Sequence, residues 1–268
     1  MAESTAPVAR ALLSFEISEH GTASRVKSSA LEFVQRSRAT TVITMPATRT
    51  ARDRARVELT REIKEEARRQ LGDAGGGGLS LRAVARELGM VSSALYRYFP
   101  SRDHLLTALI IDAYDAIGAA AEAADDHLAS PRQRWLDIWA ATRAWARAHP
   151  HEYALIYGSP IPGYQAPQDT VMPAARVAMA LVHVIRSAAV SPPPGPPLPA
   201  ELRGQATTLL AALGDDLTPE LIARLLIAWT QLFGMISFEL NGQYVGSVDP
   251  ADSFFAYTTQ QMADFVGL

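Results

Sequence analysis

The sequence predicts an all-α protein with an N-terminal three-helix helix-turn-helix domain and a larger C-terminal helical domain. Apolar residues recur at helical spacing through most of the chain after residue 52, and no segment has the two-residue period of a strand. Residues 79–99 have the pattern of two short helices joined by a tight turn. Charge is also divided: residues 45–103 carry 12 basic and 8 acidic groups, whereas residues 104–268 carry 8 and 16. The basic block around the two short helices suits contact with nucleic acid at one end of the molecule.

The composition limits the class of protein. A chain of 268 residues holds one large or two ordinary domains, and 48% hydrophobic residues allow a substantial core. The absence of cysteine excludes disulfide bonds and thiolate metal sites, and it agrees with a reducing, cytoplasmic location. No run of 18 or more apolar residues occurs, so we predict no membrane span.

The two short helices have recognisable start and stop signals. Ser80 is placed to cap the first helix, Gly89 to supply a left-handed turn, and Ser92 to cap the second helix. In DNA-binding proteins the second helix of this motif enters the major groove, although any pair of packed helices can show the same pattern. Packing leaves five residues on the second helix for other contacts: Ser92, Ser93, Tyr96, Arg97 and Tyr98.

A longer string closes the second helix and opens the next one. Residues 95–106 read Leu-Tyr-Arg-Tyr-Phe-Pro-Ser-Arg-Asp-His-Leu-Leu. This string resembles the TetR/AcrR family of transcriptional regulators, in which Leu-Tyr-x-x-Phe-x-x-Lys-x-x-Leu ends the recognition helix and begins the fourth helix. Arg102 stands where the family usually has lysine, which keeps the positive charge but in a planar group. The resemblance covers residues 59–118.

The resemblance implies double-stranded DNA as a partner and assigns roles to matching residues. Base edges or the adjoining backbone are assigned to Ser92, Ser93 and Tyr98. Phosphate contacts are assigned to Tyr96, Arg102 and Ser80, and a contact in the groove to Arg82. Arg97 could contact a base edge or a phosphate, or remain in solvent.

The N-terminal part of the chain divides at residue 45. Residues 1–44 do not look like part of the fold, and we expect either a disordered tail or an upstream extension absent from the functional protein. Residues 45–104 are predicted to form the DNA-binding domain, with its first helix over 53–71. Four arginines before or at the start of that helix suit phosphate or minor-groove contact, although a solvated helix end has the same composition: Arg49, Arg52, Arg54 and Arg56.

Residues 105–268 are predicted to form a helical ligand-binding and dimerisation domain. Helices are expected at residues 102–124, between the prolines at 131 and 150, and at 151–158, 170–190, 200–213, 218–240 and 250–266, with a proline-rich linker before position 200. Residues 135–157 and 228–242 are similar to the ligand-binding domain called WHG in some TetR regulators. That pattern usually has histidine before its glycine, whereas this chain has Phe233 before Gly234, so no histidine role is implied there.

A small-molecule pocket is expected between the helices of this domain. The candidate lining residues are Trp139, Thr142, Tyr153, Tyr157, His183, Gln231 and Glu239. In the family, the last two long helices pack against a second subunit as a four-helix bundle, and residues 218–240 and 250–266 match them. The predicted dimer contacts are Leu221, Leu225, Ala228, Phe254, Phe255 and Met262, with a purely internal core as the alternative.

Enzymatic chemistry is not indicated by the sequence. The six histidines show no metal-ligand spacing, and Gly158-Ser159-Pro160 is not a nucleophile elbow. We therefore predict no catalytic residue, no metal site and no cofactor. The function that the resemblance implies is a homodimeric repressor that a small-molecule effector releases from a palindromic operator. The alternative is a helical protein-interaction module that keeps the fold without specific DNA binding.

Overall fold

The computed structural model describes residues 50–74, 78–213 and 217–268. All regular structure in these ranges is helical, which confirms the predicted all-α class. The predicted extension at residues 1–44 and the arginine at position 49 lie outside the described residues.

Three helices form the N-terminal part: α1 at Ala51–Ala74, α2 at Leu81–Glu87 and α3 at Ser92–Leu95. Helix α1 is longer at both ends than the predicted 53–71. Its start is fixed by reciprocal hydrogen bonds, since the Asp53 backbone N–H donates to Thr50 Oγ1 and the Thr50 N–H donates to Asp53 Oδ2, both at 3.2 Å. These bonds satisfy N–H groups that a helix start leaves without partners.

Seven α-helices follow in the described residues: α4 at Arg102–Ala123, α5 at Pro131–Ala148, α6 at Pro150–Tyr157, α7 at Val171–Arg186, α8 at Ala200–Leu213, α9 at Pro219–Leu240 and α10 at Asp252–Val266. A single 3-10 turn at Gln168–Thr170 leads into α7. Every helix predicted in this part of the chain is present. Prolines occupy the first turn of α5, α6 and α9, where a missing N–H costs nothing. The proline-rich segment at 187–199 contains no helix or strand.

Two hydrophobic cores share helix α4. The N-terminal core joins α1, α2 and α3 to the first half of α4, with Leu95, Leu105 and Tyr114 among its buried residues. The C-terminal core contains Ile117 and Ala121 from the second half of α4, packed with α5, α7, α9 and α10. One continuous helix therefore connects the region of α3 with the C-terminal domain.

Helix α7 packs closely across α4 at a glycine. A Cβ atom on Gly118 would lie 2.6 Å from the Cβ of Arg176, so only glycine allows this approach. The Arg176 guanidinium then reaches along α4, donating to the Asp115 carbonyl at 2.9 Å and to Glu122 Oε1 at 2.8 Å.

The start of α5 is held by a buried ion pair. Arg134 donates from Nε and Nη2 to the two carboxylate oxygens of Asp125, at 2.6 and 3.0 Å, and from Nη1 to Ser187 Oγ at 2.6 Å. The hydrogen bonds from Arg134 hold the pKa of Asp125 below its ordinary value. This pair joins the end of α4, the start of α5 and the end of α7.

Helices α4 and α9 are each long and apolar enough to cross a membrane by length and composition. Half of the apolar stretch in each is buried inside the protein. Core helices of soluble proteins pass the same test, so this observation is weak evidence for a membrane span.

Candidate nucleic-acid interface

The first half of the helix-turn-helix has the predicted geometry. Ser80 caps α2, and its Oγ accepts a hydrogen bond from the Ala83 N–H at 3.4 Å. Gly89 has a φ of 65°, the left-handed conformation that the turn requires. The Met90 N–H then donates to the Ala85 carbonyl at 2.8 Å, which closes the end of α2.

The second half begins one residue earlier than predicted. Val91 is the extended N-cap residue of α3 and provides no side-chain cap, so the prediction that Ser92 caps this helix is wrong. Ser92 is instead the first helical residue. The four-residue helix continues as a turn, in which the Tyr98 and Phe99 N–H groups both donate to the Leu95 carbonyl, at 2.9 and 3.1 Å.

The residues predicted to meet DNA lie away from the buried Leu95. Ser93, Tyr96 and Arg97 are exposed, with 42% of Tyr96 accessible, and their spacing of three and four residues places them on one side of α3 and its following turn. Ser92 and Tyr98 are half-buried. This surface presents hydroxyl groups, a phenol and a guanidinium, all of which contact bases or phosphates in protein–DNA complexes.

Two arginines outside α3 are further candidates for DNA contact. Arg82 is exposed on the first turn of α2. The Arg56 guanidinium of α1 lies over the Tyr98 ring, 5.3 Å from its centre, which joins α1 to the end of the recognition segment. Arg52 and Arg54 are exposed on the first turn of α1, so these members of the predicted arm are helical.

Arg102 has an intramolecular partner that the sequence did not indicate. Its side chain is half-buried, and its Nε donates to the Leu79 carbonyl at 3.1 Å. The bond connects the first residue of α4 to the segment before α2. A phosphate contact by Arg102 stays a prediction, but the side chain also positions the motif.

Comparisons with known proteins match both parts of this chain. Residues 63–109 match the family described as bacterial regulatory proteins, tetR family, and residues 135–262 match a tetracyclin repressor-like C-terminal domain. Over 222 residues the chain is 40% identical to the HTH-type transcriptional regulator Rv1816 of Mycobacterium tuberculosis and to Mb1846 of Mycobacterium bovis. These alignments cover 76% of this chain and 91% of each relative. The chain belongs to the TetR family.

Solved structures agree with this assignment. The putative regulatory protein SCO4313 is 34% identical with a TM-score of 0.67, covering 80% of this chain and 98% of its own. A protein of unknown function from Rhodococcus sp. RHA1, 23% identical, shares the fold with a TM-score of 0.56 over 81% of this chain and 97% of its own. The protein is therefore a TetR-family transcriptional regulator with a DNA-binding helix-turn-helix, and the prediction that it is not an enzyme is confirmed.

In this TetR-family chain, ion pairs tie α1 to the helices behind it. Lys64 Nζ lies 2.8 Å from Asp112 Oδ1 on α4, and Arg68 Nη2 lies 2.7 Å from Oδ2 of the same carboxylate. Arg68 Nε is also 3.6 Å from Glu152 Oε1 on α6. Sequence analysis missed these pairs because partners 44 and 48 residues apart share no local pattern.

Four of the predicted ligand-lining residues belong to the interior of the regulatory domain. Trp139 and Thr142 are buried in its core, where Thr142 Oγ1 donates to the Ile138 carbonyl at 2.8 Å. The Tyr153 hydroxyl donates to the Phe233 carbonyl at 3.0 Å, and burial raises the pKa of Tyr153 to about 12, so the phenol stays neutral. The Tyr157 ring stacks on Phe233, with ring centres 4.1 Å apart.

The other three candidates lie elsewhere. Glu239 accepts two hydrogen bonds from Arg143, each of 2.7 Å, and this contact raises the pKa of Arg143 above its ordinary value. His183 and Gln231 are exposed on α7 and α9. The seven side chains therefore do not line one enclosed pocket.

The predicted dimer contacts require a correction. Leu221, Leu225, Ala228 and Phe255 are each at most 7% exposed because they pack in the core of their own subunit. Phe254 and Met262 are half-buried against the same core. The sequence showed which residues of α9 and α10 are apolar, but both helices are apolar on more than one side, and the more apolar side faces inward.

Proposed function

We propose that this TetR-family regulator is a cytoplasmic homodimeric repressor that leaves a two-fold symmetric operator when a small molecule binds. The observation that carries the proposal is an exposed apolar stripe on α9 and α10, the helices that match the dimerisation helices of the family. The exposed polar surface of α3, in the N-terminal part of the chain, supplies the DNA contacts in this proposal.

The stripe consists of Ile227, Gly234 and Phe238 on α9 and Tyr257 on α10. The three large side chains are 51%, 55% and 64% exposed, in the order Ile227, Phe238, Tyr257. Single exposed hydrophobic residues are ordinary, but Ile227, Gly234 and Phe238 are seven and four residues apart and so share one side of α9, and Tyr257 is exposed on the neighbouring α10. A two-fold interface uses the same patch on both subunits, so a second copy would cover it.

A dimer gives the DNA surface its second half. One helix-turn-helix reads a short half-site, and two copies related by a two-fold axis read a palindrome with half-sites about 34 Å apart. The surface formed by Ser93, Tyr96 and Arg97 supplies the contacts of each copy in this proposal.

Release by an effector requires a connection between the two cores, and α4 and α6 supply candidates. Helix α4 contributes to both cores. Helix α6 holds Glu152 near Arg68 of α1, while its Tyr153 and Tyr157 contact Phe233 of α9. An effector that favours a different position of these helices would change the spacing of the recognition helices, with a coupling free energy of about 1–3 kcal/mol.

DNA binding by the full chain tests the proposal. Labelled fragments from around its own coding region are titrated at several salt concentrations and followed by fluorescence anisotropy. We expect salt-sensitive binding to one palindromic site, two chains per site, and less transcription from that fragment when protein is added. Equal, weak binding to the fragments and to scrambled DNA of the same length would contradict the operator, and increased transcription would contradict repression.

A further inference from the structure

The recognition segment keeps two large hydrophobic side chains in contact with water. Within residues 78–101, Val91 is 70% exposed and Tyr96 is 42% exposed, whereas the other large hydrophobic side chains are buried or half-buried. The two exposed residues flank α3, with Val91 directly before it and Tyr96 directly after it. Tyr96 has a hydroxyl that can bond to a phosphate or a base, but the Val91 side chain has no polar atom. Val91 can therefore contribute only an apolar contact.

Val91 also occupies a position that favours another type of residue. The helices before and after α3 are capped by serine, since Ser80 Oγ accepts from the Ala83 N–H at 3.4 Å and Ser101 Oγ accepts from the His104 N–H at 3.3 Å. Val91 is the N-cap residue of α3 and makes no such bond. Its branched side chain suits the extended backbone, but threonine would suit it equally and would add a cap. Valine thus brings no evident benefit to the free protein, and such departures from local preference are expected at functional sites.

The position of Val91 at the start of α3 is where base edges are read. In helix-turn-helix complexes, the N-terminal residues of the second helix contact base edges in the major groove. Among the groups that base pairs present there, the C5 methyl group of thymine is apolar, and the others are hydrogen-bond donors and acceptors. Donors and acceptors covered by a valine would lose water without gaining a partner. Thymine is therefore the base whose edge matches this side chain.

We propose that Val91 contacts the C5 methyl group of one thymine in each half-site of the operator and so determines which base is accepted at that position. The contact removes two apolar groups from water, one on the protein and one on the DNA. The proposal rests on the proposed function because it requires sequence-specific operator binding. It adds a base identity that the hydroxyl groups of Ser93 and Tyr96 do not supply.

The test uses uracil, which pairs as thymine does but lacks the methyl group. The full chain first selects its sites from a library of random-sequence duplexes, and each thymine of a selected site is then replaced singly by uracil. Fluorescence anisotropy is expected to show binding about fourfold weaker for one thymine in each half-site, which is the effect of leaving one methyl group unburied.

Val91→Ser separates the base contact from helix formation. Serine is a better cap than valine, so the midpoint of urea unfolding should be unchanged or higher. The variant has no side-chain methyl group, so thymine and uracil should bind equally at the assigned position. Val245→Ser is the matched control, because Val245 is 75% exposed in the segment between α9 and α10, and this variant should keep the fourfold effect.

5-Methylcytosine carries the same methyl group and tests whether that group alone is recognised. At the assigned position a C·G pair should bind more weakly than T·A, because it lacks the methyl group. Methylation of this cytosine at C5 should restore about fourfold of the affinity with Val91 present and none in Val91→Ser.

The absence of a uracil effect at every thymine of the selected sites, an effect that persists in Val91→Ser, or no gain from 5-methylcytosine would each overturn the proposal. A selection that enriches no sequence would reject the proposed operator binding and this contact with it. An enriched site that does not respond to uracil would reject the Val91 contact alone.

Discussion

Arg102 illustrates how one side chain can serve both the fold and DNA recognition. Its Nε donates to the Leu79 carbonyl, and it stands where the TetR/AcrR string usually has lysine. A guanidinium has five N–H donors, so one bond inside the protein is compatible with a phosphate contact. The two roles can be separated experimentally because they affect different quantities.

We expect Arg102→Ala to lower the unfolding free energy by about 1–2 kcal/mol and to flatten the salt dependence of DNA binding by about one phosphate contact. Arg102→Lys keeps the charge without the planar group, so it should restore the salt slope but not all of the stability. Urea unfolding and salt titrations measure the two effects. Unchanged stability in Arg102→Ala would contradict the role of the Leu79 contact, and an unchanged slope would remove the phosphate contact.

Gly118 allows α7 to pack closely against α4. We expect Gly118→Ala to destabilise the protein by roughly 1–2 kcal/mol net, because the clash with the Arg176 Cβ outweighs the better helix propensity of alanine. Gly204→Ala on α8 is the matched control, since an added Cβ there meets nothing within 4 Å, and it should stabilise slightly. Thermal or urea unfolding gives both values, and equal effects of the two changes would contradict the packing argument.

At the scale of helices, the buried pair at the start of α5 determines how α4, α5 and α7 meet. Asp125 accepts two hydrogen bonds from Arg134, which in turn donates to Ser187. The carboxylate must be ionised for this arrangement, so its protonation weakens three helix ends together.

This pair predicts an acid-dependent loss of stability. The folded-state pKa of Asp125 is lowered, so its contribution is complete above about pH 5 and is lost as pH falls below the ordinary value of 3.8 through the lowered pKa. Asp125→Asn should cost roughly 3 kcal/mol at pH 7 and should reduce the change in stability between pH 7 and pH 3. The exposed Asp169→Asn is the control, and an equal pH dependence in both variants would refute the assignment.

At the scale of the whole molecule, the proposed dimer depends on a contact between the two subunits. Four of the six predicted dimer residues lie in the internal core, namely Leu221, Leu225, Ala228 and Phe255, and the exposed stripe of Ile227, Phe238 and Tyr257 takes their place in the proposal. Without a partner this apolar stripe is exposed to water, and a second subunit would bury it. Charged substitutions in the stripe therefore test whether it forms the interface.

We expect the double change Ile227→Glu with Phe238→Glu to give a folded monomer and to weaken operator binding at least tenfold, because a charge in the interface opposes its own symmetry mate. Leu128→Glu is the control, since Leu128 is 96% exposed outside the stripe. Light scattering and anisotropy report mass and affinity. A double variant that stays dimeric would place the interface elsewhere.

Local signals in the sequence predicted several features correctly. They include the cap at Ser80, the turn at Gly89, the helix start at Pro131 and the helix break at Pro150. Each of these is a property of neighbouring residues. The cap of α3 was predicted at Ser92 instead of Val91, because a serine is a common cap and the local pattern does not show that Val91 takes the extended conformation.

The sequence by itself determined the helical class, the order of the helices, and the family motif of the recognition segment, because each depends on residues close in the chain. Only the tertiary structure decided which side of α9 and α10 is buried and that Arg102 bonds to Leu79. These features depend on contacts between distant segments. An apolar residue carries the same hydrophobic driving force toward its own core as toward a partner, so composition alone does not distinguish the two.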